Sequence, residues 1–567
     1  MDIYDYLIVG GGTAGAVLAN RLSCDRNLRV ALLEAGPDVV PGRVPHDIRC
    51  VFPLSTFNPA YAWPGLRVHW RDAQHSPAVA LPQGRVLGGS SNIMGMWAMR
   101  GKPEVYDAWA ADGANGWAWA DVLPYFRRLE NDLDFGGPLH GRNGPLPVRR
   151  ASADQWSPLA RACREAAAAL GYPEVADMNA EFSDGHCVLP ATRHEDARAS
   201  AGLCYLTAPV RMRANLRVMT DLTATALAFD PSGNAPVVDG VYAIAATGAR
   251  VRLHARRVVL AAGALRSPEL LMRSGIGPGG ALQRRGIAVR HDLPGVGGNL
   301  QNHPMLFMVS FLEPQGIEGP GWRPAGTTYL RWSSGLAGMA PGDMGLSIRS
   351  WLSWHALGRR MAALAPTVSM PFSRGQVTLD DAAPYSVRVE FKLLEDRRDL
   401  ERMMRGMRLA AELYSRIRDT AGDPMVLTQA ASIARLMRFN EPTRANAVRA
   451  GMAAALMDLA PATARRWISR HARMVRAASV LCDDDALAEF ALASVSGAGH
   501  LCGTCRMGPV SDRMAVTDPQ GRVHGIVGLA VCDASVMPRV PSGGTHLPTV
   551  MVAEKLADAM MRDLQSS

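Results

Sequence analysis

The stretch DYLIVGGGTAGAVLANRLS, beginning at Asp5, constrains this chain more than any other. Its apolar run Leu7-Ile8-Val9 suits a strand buried on both faces, and it passes directly into G-x-G-x-x-G at Gly10, Gly12 and Gly15. AGAVLANRL then reads as a helix, and LRVALLEAG as a second strand ending at Glu34, 19 residues past Gly15. A strand, a tight glycine turn and a helix in this order make a dinucleotide-binding unit. The glycines let the backbone approach a pyrophosphate, the helix start offers unpaired N–H groups, and the acid accepts ribose hydroxyls. The unit dictates an α/β fold around a parallel, Rossmann-like sheet. It leaves the choice between NAD and FAD open.

At 567 residues the chain can build two or three coupled domains. No apolar run is long enough to span a bilayer. The start MDIYDYLIVGGG enters a strand within a few residues, which leaves no space for a charged segment, apolar stretch and cleavage site. An uncleaved, cytoplasmic protein is expected. The net charge of +9 raises nucleic-acid binding, but only Lys102, Lys392 and Lys555 are lysines, so 58 of the 61 basic residues are arginines. They are dispersed among acids and accompany no nucleic-acid module, so the charge reflects an Arg-rich composition and no nucleic-acid partner is expected. The nine cysteines are scattered rather than framed. Cys502 and Cys505 form C-x-x-C, but no second pair completes a four-ligand site, and no metal is expected.

Further glycine-rich segments follow. GRVLGGSSNIMGMWAMRG (Gly84–Gly101) can lie close to a flat ligand, and ARRVVLAAGALRSPELLMRSGIGP (Ala255–Pro278) reads as strand, tight turn and helix. With LPGVGGNLQNHP, HLCGTCRMG and GLAVCDASVMPRVPSGGTHLPTVMVAEKLAD they resemble, in order, the successive signatures of the glucose-methanol-choline (GMC) family of flavin oxidoreductases. The resemblance covers nearly the whole chain. YDAWAADGANGWAWADVLPYFRRLEN and PLHGRNGPLPV are similar to the bacterial branch that contains 5-hydroxymethylfurfural oxidase and related alcohol oxidases.

The resemblance implies FAD extended across the nucleotide unit. Gly10, Gly12, Thr13, Ala14 and Gly15 would border its pyrophosphate and Glu34 its adenosine ribose. Gly88, Gly89, Ser90, Asn92 and Met94 would lie on the flavin side, and the backbone of Ala224 would read the adenine. Asp533 and Ala534 would sit beside the ribityl and pyrophosphate part. The family carries asparagine or histidine at Met94, and in some members a histidine near here links covalently to the flavin. Methionine does neither and packs as filler, so non-covalent FAD is expected.

The terminal segment PSGGTHLPTVMVAEKLADAM has Thr545 as a possible cap, Pro548 suited to a first turn, and apolar residues at helical spacing. A helix start aimed at the flavin would favour the negative charge that reduction places there, which assigns His546, Pro548 and Thr549 to its border. His500 and His546, 46 residues apart, match the family's two active-site positions. Moving hydride from an alcohol carbon leaves a hydroxyl proton to be taken up, and histidine suits that task. His500 is assigned as base and His546 as hydrogen-bond partner, with the reverse assignment left open.

The expected division is a discontinuous FAD domain (1–310 and 500–567, with substrate-side segments near 40–83 and 150–200) and a substrate domain (311–499) with an antiparallel sheet. Trp351, Trp354, Phe372 and Phe391 are candidate pocket walls. Residues 424–487 form an insertion reading as two helices broken at Pro461, suited to an oligomer contact, a lid or a membrane-surface contact. The expected activity is oxidation of a primary aryl, furanic or small aliphatic alcohol to its aldehyde, with O2 or a quinone as electron acceptor. The rivals are a quinone-linked choline-type dehydrogenase, a cyanohydrin lyase or photodecarboxylase of the same fold, and a protein whose flavin only completes the fold.

Overall fold

The computed structural model describes residues 3–232, 236–319, 321, 323–380, 386–427, 436 and 438–565. Ile3–Val9 is the central strand of a seven-stranded sheet, flanked in parallel by Val30–Leu33 on one side and by the end of Arg250–Leu260 on the other. Leu216–Met219 extends it beyond Val30–Leu33, and Leu529–Val531 adds in parallel to Arg250–Leu260. Parallel strands need cover on both faces, and Leu7, Ile8, Val30, Leu32, Val258 and Leu260 are accordingly sealed from solvent. Val238–Ala245 and Leu222–Phe229 complete the sheet as an antiparallel pair.

The helix Thr13–Leu22 follows the first glycine turn and packs against the terminal helix His546–Gln565. Glu554, fully buried in that helix, takes Arg21 Nη2 at 2.7 Å and the Tyr205 hydroxyl at 2.6 Å. The end of the chain is thereby fixed on its beginning, and the start of the last helix is held at the open end of the parallel strands.

A second, ten-stranded sheet is largely antiparallel. Its path runs from Met474–Arg476 through Met425–Leu427, Met308–Phe311, Met361–Val368, Met344–Arg349, Thr328–Trp332 and Gly185–Val188 to Glu174–Val175. The helix Arg397–Arg416 covers one face, with Met403, Met407, Ala410, Leu413 and Tyr414 buried. The 424–487 insertion contributes the edge pair Met425–Leu427 and Met474–Arg476, with helices Arg444–Leu459 and Pro461–His471. The break falls at Pro461, where the missing N–H costs nothing in a first turn. Residues 428–435 and 437 of the insertion lie outside the described residues. Arg465 anchors it through a two-point ion pair with Glu313 at 2.7 and 3.0 Å. No helix among the described residues is long and apolar enough to cross a membrane.

Candidate active site

One cavity of about 770 Å³ runs from the glycine turn of the first sheet to the second sheet. At the nucleotide end Gly10, Gly12, Thr13, Ala14 and Glu34 line it. Gly12 has no atom nearer to a would-be Cβ than Gly89 Cα at 3.9 Å, while a Cβ on Gly89 would meet Gly12 Cα at 2.7 Å. Two glycine turns therefore approach each other and leave a bare backbone floor, the shape a pyrophosphate requires. Glu34 Oε2 accepts from Gly11 N–H at 2.9 Å and Oε1 from Gly36 N–H at 2.8 Å. These bonds orient its carboxyl toward the cavity, and burial raises its pKa to about 7. Ala224 lines the same end, at a register slip between Ala224 and Ala226.

The loop Gly84–Gly101 supplies Gly89, Ser90 and Met94 to the wall. Gly88, Gly15, Asn92 and Pro548 stand behind the lining. Gly15 packs the helix on its strand, since a Cβ there would meet Gly10 O at 1.9 Å. The Asn92 side chain is spent on Leu87 O (2.6 Å) and Ser200 Oγ (2.5 Å), which shapes the loop from within. Asp533 lines the cavity beside Ala534, but its carboxylate accepts from Gly263 N–H (2.8 Å), Ser267 Oγ (2.5 Å) and Ser535 N–H (2.7 Å). It ties the turn at Gly263 to the segment that follows the strand Leu529–Val531. The bare backbone at Gly10, Gly12 and Gly89, with Glu34 beside it, suits the pyrophosphate and ribose of an extended dinucleotide.

His500 and His546 face the same cavity. His500 follows Gly499 in a left-handed turn (φ 86°), and its N–H donates to Asn302 Oδ1 at 2.9 Å. His500 Nδ1 lies 2.8 Å from Nδ1 of the buried His303. One of these nitrogens must carry the proton. If His500 Nδ1 carries it, Nε2 is left basic and free. Nε2 is 3.6 Å from where a Cβ on Gly544 would stand, in the turn that feeds the terminal helix and His546. Burial lowers the pKa of both His500 and His546 to about 4, with added repulsion from Arg349 and Arg198 respectively. Both rings are neutral at pH 7, the state a proton acceptor needs.

The same loop does a second job. Gln301 Nε2 donates to Pro538 O and Gln301 Oε1 accepts from Val540 N–H, each at 3.0 Å. NLQNHP thus positions His500 and the approach to His546 together. The roles of Asn302 and His303 are not legible in LPGVGGNLQNHP, because a histidine orienting another histidine has no spacing rule of its own.

At the far end, Trp351 lines the cavity, whereas the other three aromatic candidates serve elsewhere. Trp354 Nε1 donates to Asn440 O at 2.6 Å and holds the insertion. Phe372 lies under the Arg398 guanidinium at 3.6 Å, and Phe391 packs on Trp70 with ring centres 5.2 Å apart. Leu427, Phe439, Ile468 and Met474 bring the insertion to the cavity rim.

Cys502 and Cys505 are buried and unpaired, and burial pushes the Cys502 thiol up to about 12 and the Cys505 thiol up as well. Neither is a ready thiolate. The buried group Glu130, Asp132 and His140 has converging ligand atoms, but Arg100 pairs with Glu130, Arg150 Nη1 with Asp132 (2.9 Å) and His140 Nε2 with Asp177 (2.7 Å). The acids raise His140 to about 10, so three carboxylates face three cations and the cluster is internally balanced.

Two family models match, both described as GMC oxidoreductase, over residues 4–305 and 371–553. The chain belongs to the GMC oxidoreductase family. It is 38% identical to a 5-(hydroxymethyl)furfural oxidase of Methylovorus sp. (strain MP688), with 99% of each chain covered. It is 31% identical to an oxygen-dependent choline dehydrogenase of Brucella anthropi, over 98% of this chain and 95% of that one. The crystal structure of a pyridoxine 4-oxidase from Mesorbium loti superposes with a TM-score of 0.79 at 28% identity, with 99% of each chain covered. This GMC oxidoreductase is an FAD-dependent alcohol oxidoreductase, acting on an alcohol and passing electrons to an acceptor such as O2 or a quinone.

Proposed function

We propose that the enzyme oxidises a primary alcohol to its aldehyde with His500 Nε2 as the base. The contact that carries this reading is His303 Nδ1 to His500 Nδ1 at 2.8 Å, which occupies one ring nitrogen and leaves the other on the cavity. Bound FAD supplies the acceptor for the hydride that leaves the alcohol carbon. His500 Nε2 takes the hydroxyl proton as that hydride departs, and the carbonyl forms. His546, in the first turn of the terminal helix, hydrogen-bonds the same oxygen as charge develops there. The apolar walls keep water from the reacting oxygen. FAD is held without a covalent bond, since Met94 offers no nucleophile at the position where the family resemblance implies asparagine or histidine.

The two sheets support a division into an FAD domain and a substrate domain, although Pro304–Met305 and Met308–Phe311 of the second sheet begin before residue 311. We place the 424–487 insertion as a lid, because its Leu427, Phe439, Ile468 and Met474 reach the cavity rim. Val448, Met452 and Trp467 on its outer side are exposed, and they are where an oligomer or a membrane surface would dock instead. The nine unpaired cysteines suit a cytoplasmic location.

Mixing the yellow protein with a panel of primary alcohols without air, then admitting oxygen, tests the reading. Bleaching followed by recovery in air identifies an oxidase, and bleaching without recovery a quinone-linked dehydrogenase. A flavin that no alcohol bleaches would overturn the proposal in favour of the lyase or light-driven alternatives.

The pH dependence gives a second test. A base held near 4 stays unprotonated from pH 8 down through pH 6. The kcat/KM of flavin reduction should therefore stay level across that range and fall only as pH approaches 4. An acid limb centred at the ordinary histidine value near 6.5 would remove His500 as a burial-depressed base.

A further inference from the structure

Arg349 closes the strand Met344–Arg349 and points into the cavity that His500 and His546 share. Burial lowers its pKa to about 10, and no acid among the described residues acts on it. Its Nε is sealed from water without a hydrogen-bond partner. The guanidinium lies over Trp97 at 5.6 Å and Phe307 at 5.2 Å, contacts that frame it while leaving its in-plane N–H groups unmet. Among the described residues it makes no ion pair, and residues 428–435 and 437, beyond Leu427 at the rim, include no acid in the sequence. The other arginines on the cavity wall, Arg266 and Arg273, both bind Glu269, at 2.5 and 2.8 Å.

The residues around Arg349 repeat the pattern. Ser347 and Arg349 alternate on the strand Met344–Arg349, Trp351 and Ser353 follow in the segment that leaves it, all four line the cavity, and each carries a buried side-chain atom with no partner: Ser347 Oγ, Arg349 Nε, Trp351 Nε1 and Ser353 Oγ. Each of the four can donate, and none is an acid. Arg349 is partly buried with its Nε sealed, and a cation so placed without a counter-ion loses hydration that is not repaid. A chain that retains one at the wall of its reaction cavity must gain something when the cavity is filled.

We propose that Arg349 binds a carboxylate on the substrate, so that the preferred substrate is an alcohol with a carboxylate at its far end on an aromatic or short apolar spacer. The inference rests on the alcohol-oxidation reading of the same cavity. A single planar guanidinium supplies one positive charge and a two-point fork, which matches a carboxylate better than a doubly charged phosphate. The aromatic frame of Trp97, Phe307 and Trp351 suits a flat spacer between carboxylate and alcohol. The carboxylate would also offset the repulsion that Arg349 exerts on His500, coupling substrate recognition to the basicity of the base.

The experiment compares 4-(hydroxymethyl)benzoate with the neutral 4-methylbenzyl alcohol in the FAD-loaded enzyme and in Arg349→Met. The parent should favour the acid by at least about tenfold in kcat/KM, and Arg349→Met should lower the acid-to-neutral ratio about 100-fold, chiefly through KM. Arg349→Lys keeps the charge without the planar fork and should lose about tenfold, which serves if the methionine variant holds no flavin. Binding of the unreactive 4-methylbenzoate, followed by calorimetry, should weaken at least about tenfold in either variant. Removing the cation should also move the acid limb of the pH profile upward. Oxidation of the neutral alcohol with no preference for the acid, or a ratio unchanged by both variants, overturns the carboxylate assignment and leaves alcohol oxidation standing. Bleaching by neither alcohol overturns the alcohol reading instead. In that case 4-methylbenzoate decides the carboxylate site alone, and equal binding to parent and variants would refute it.

Discussion

His500→Ala should slow flavin reduction by a primary alcohol by about 10²–10⁴-fold while the protein stays yellow. The expected size follows from what the ring does. Without a base the hydroxyl proton must leave to water as the hydride departs, and the apolar wall admits little water. Flavin retention follows from position, because His500 sits on the substrate side and none of the nucleotide floor at Gly10, Gly12 and Gly89 depends on it. Its backbone tie to Asn302 runs through the main-chain N–H and survives the substitution. Anaerobic stopped-flow at 450 nm reads the rate directly. His303→Ala provides the graded comparison: it keeps the base but frees its orientation, so a smaller loss is expected. Reduction of His500→Ala at the parent rate would transfer the role of base to His546.

How far the sequence carried this picture depended on whether the chemistry was local. The turn at Gly10, Gly12 and Gly15 is legible because one short segment contains strand, turn and helix, although only Gly15 is constrained from within it, by Gly10 O, while Gly10 is packed on Ala261 and Gly12 faces Gly89. The two helices around Pro461 are legible for the same reason. The histidine pair was reachable only through family resemblance, since no spacing rule joins residues 46 apart. What stayed hidden is what only packing creates. Asn92 is read as a flavin neighbour from its motif, yet in the fold its amide is consumed by Leu87 and Ser200. Phe372 and Phe391 carry the composition of a pocket wall, but they pack on arginine and tryptophan instead. Arg349 gives the opposite lesson. Arg349 stands out as the single charge in GLSIRSWLS, but its meaning comes only from knowing that no acid among the described residues reaches it.

The second large effect is expected at Gly89. Gly89→Val should yield soluble protein whose flavin-to-protein ratio is at least about tenfold below the parent, read from absorbance at 450 and 280 nm. Two costs combine at this position. Its φ of 55° is a left-handed conformation that a β-branched residue adopts with a penalty of about 1–3 kcal/mol. A Cβ would in addition stand 2.7 Å from Gly12 Cα, backbone against backbone, so neither turn can yield without moving the other. Relief requires the two turns to part, and parting them removes the floor on which the pyrophosphate would lie. Gly137→Ala separates the two costs. Gly137 also has a left-handed φ, 95°, but nothing stands within 4 Å of a Cβ there, and it is remote from the cavity lining. That variant should lose some thermal stability and keep its flavin. If Gly89→Val carries a full complement of FAD, the close approach of the two turns is not what holds the cofactor. If Gly137→Ala loses flavin as well, backbone strain rather than the shared floor governs retention.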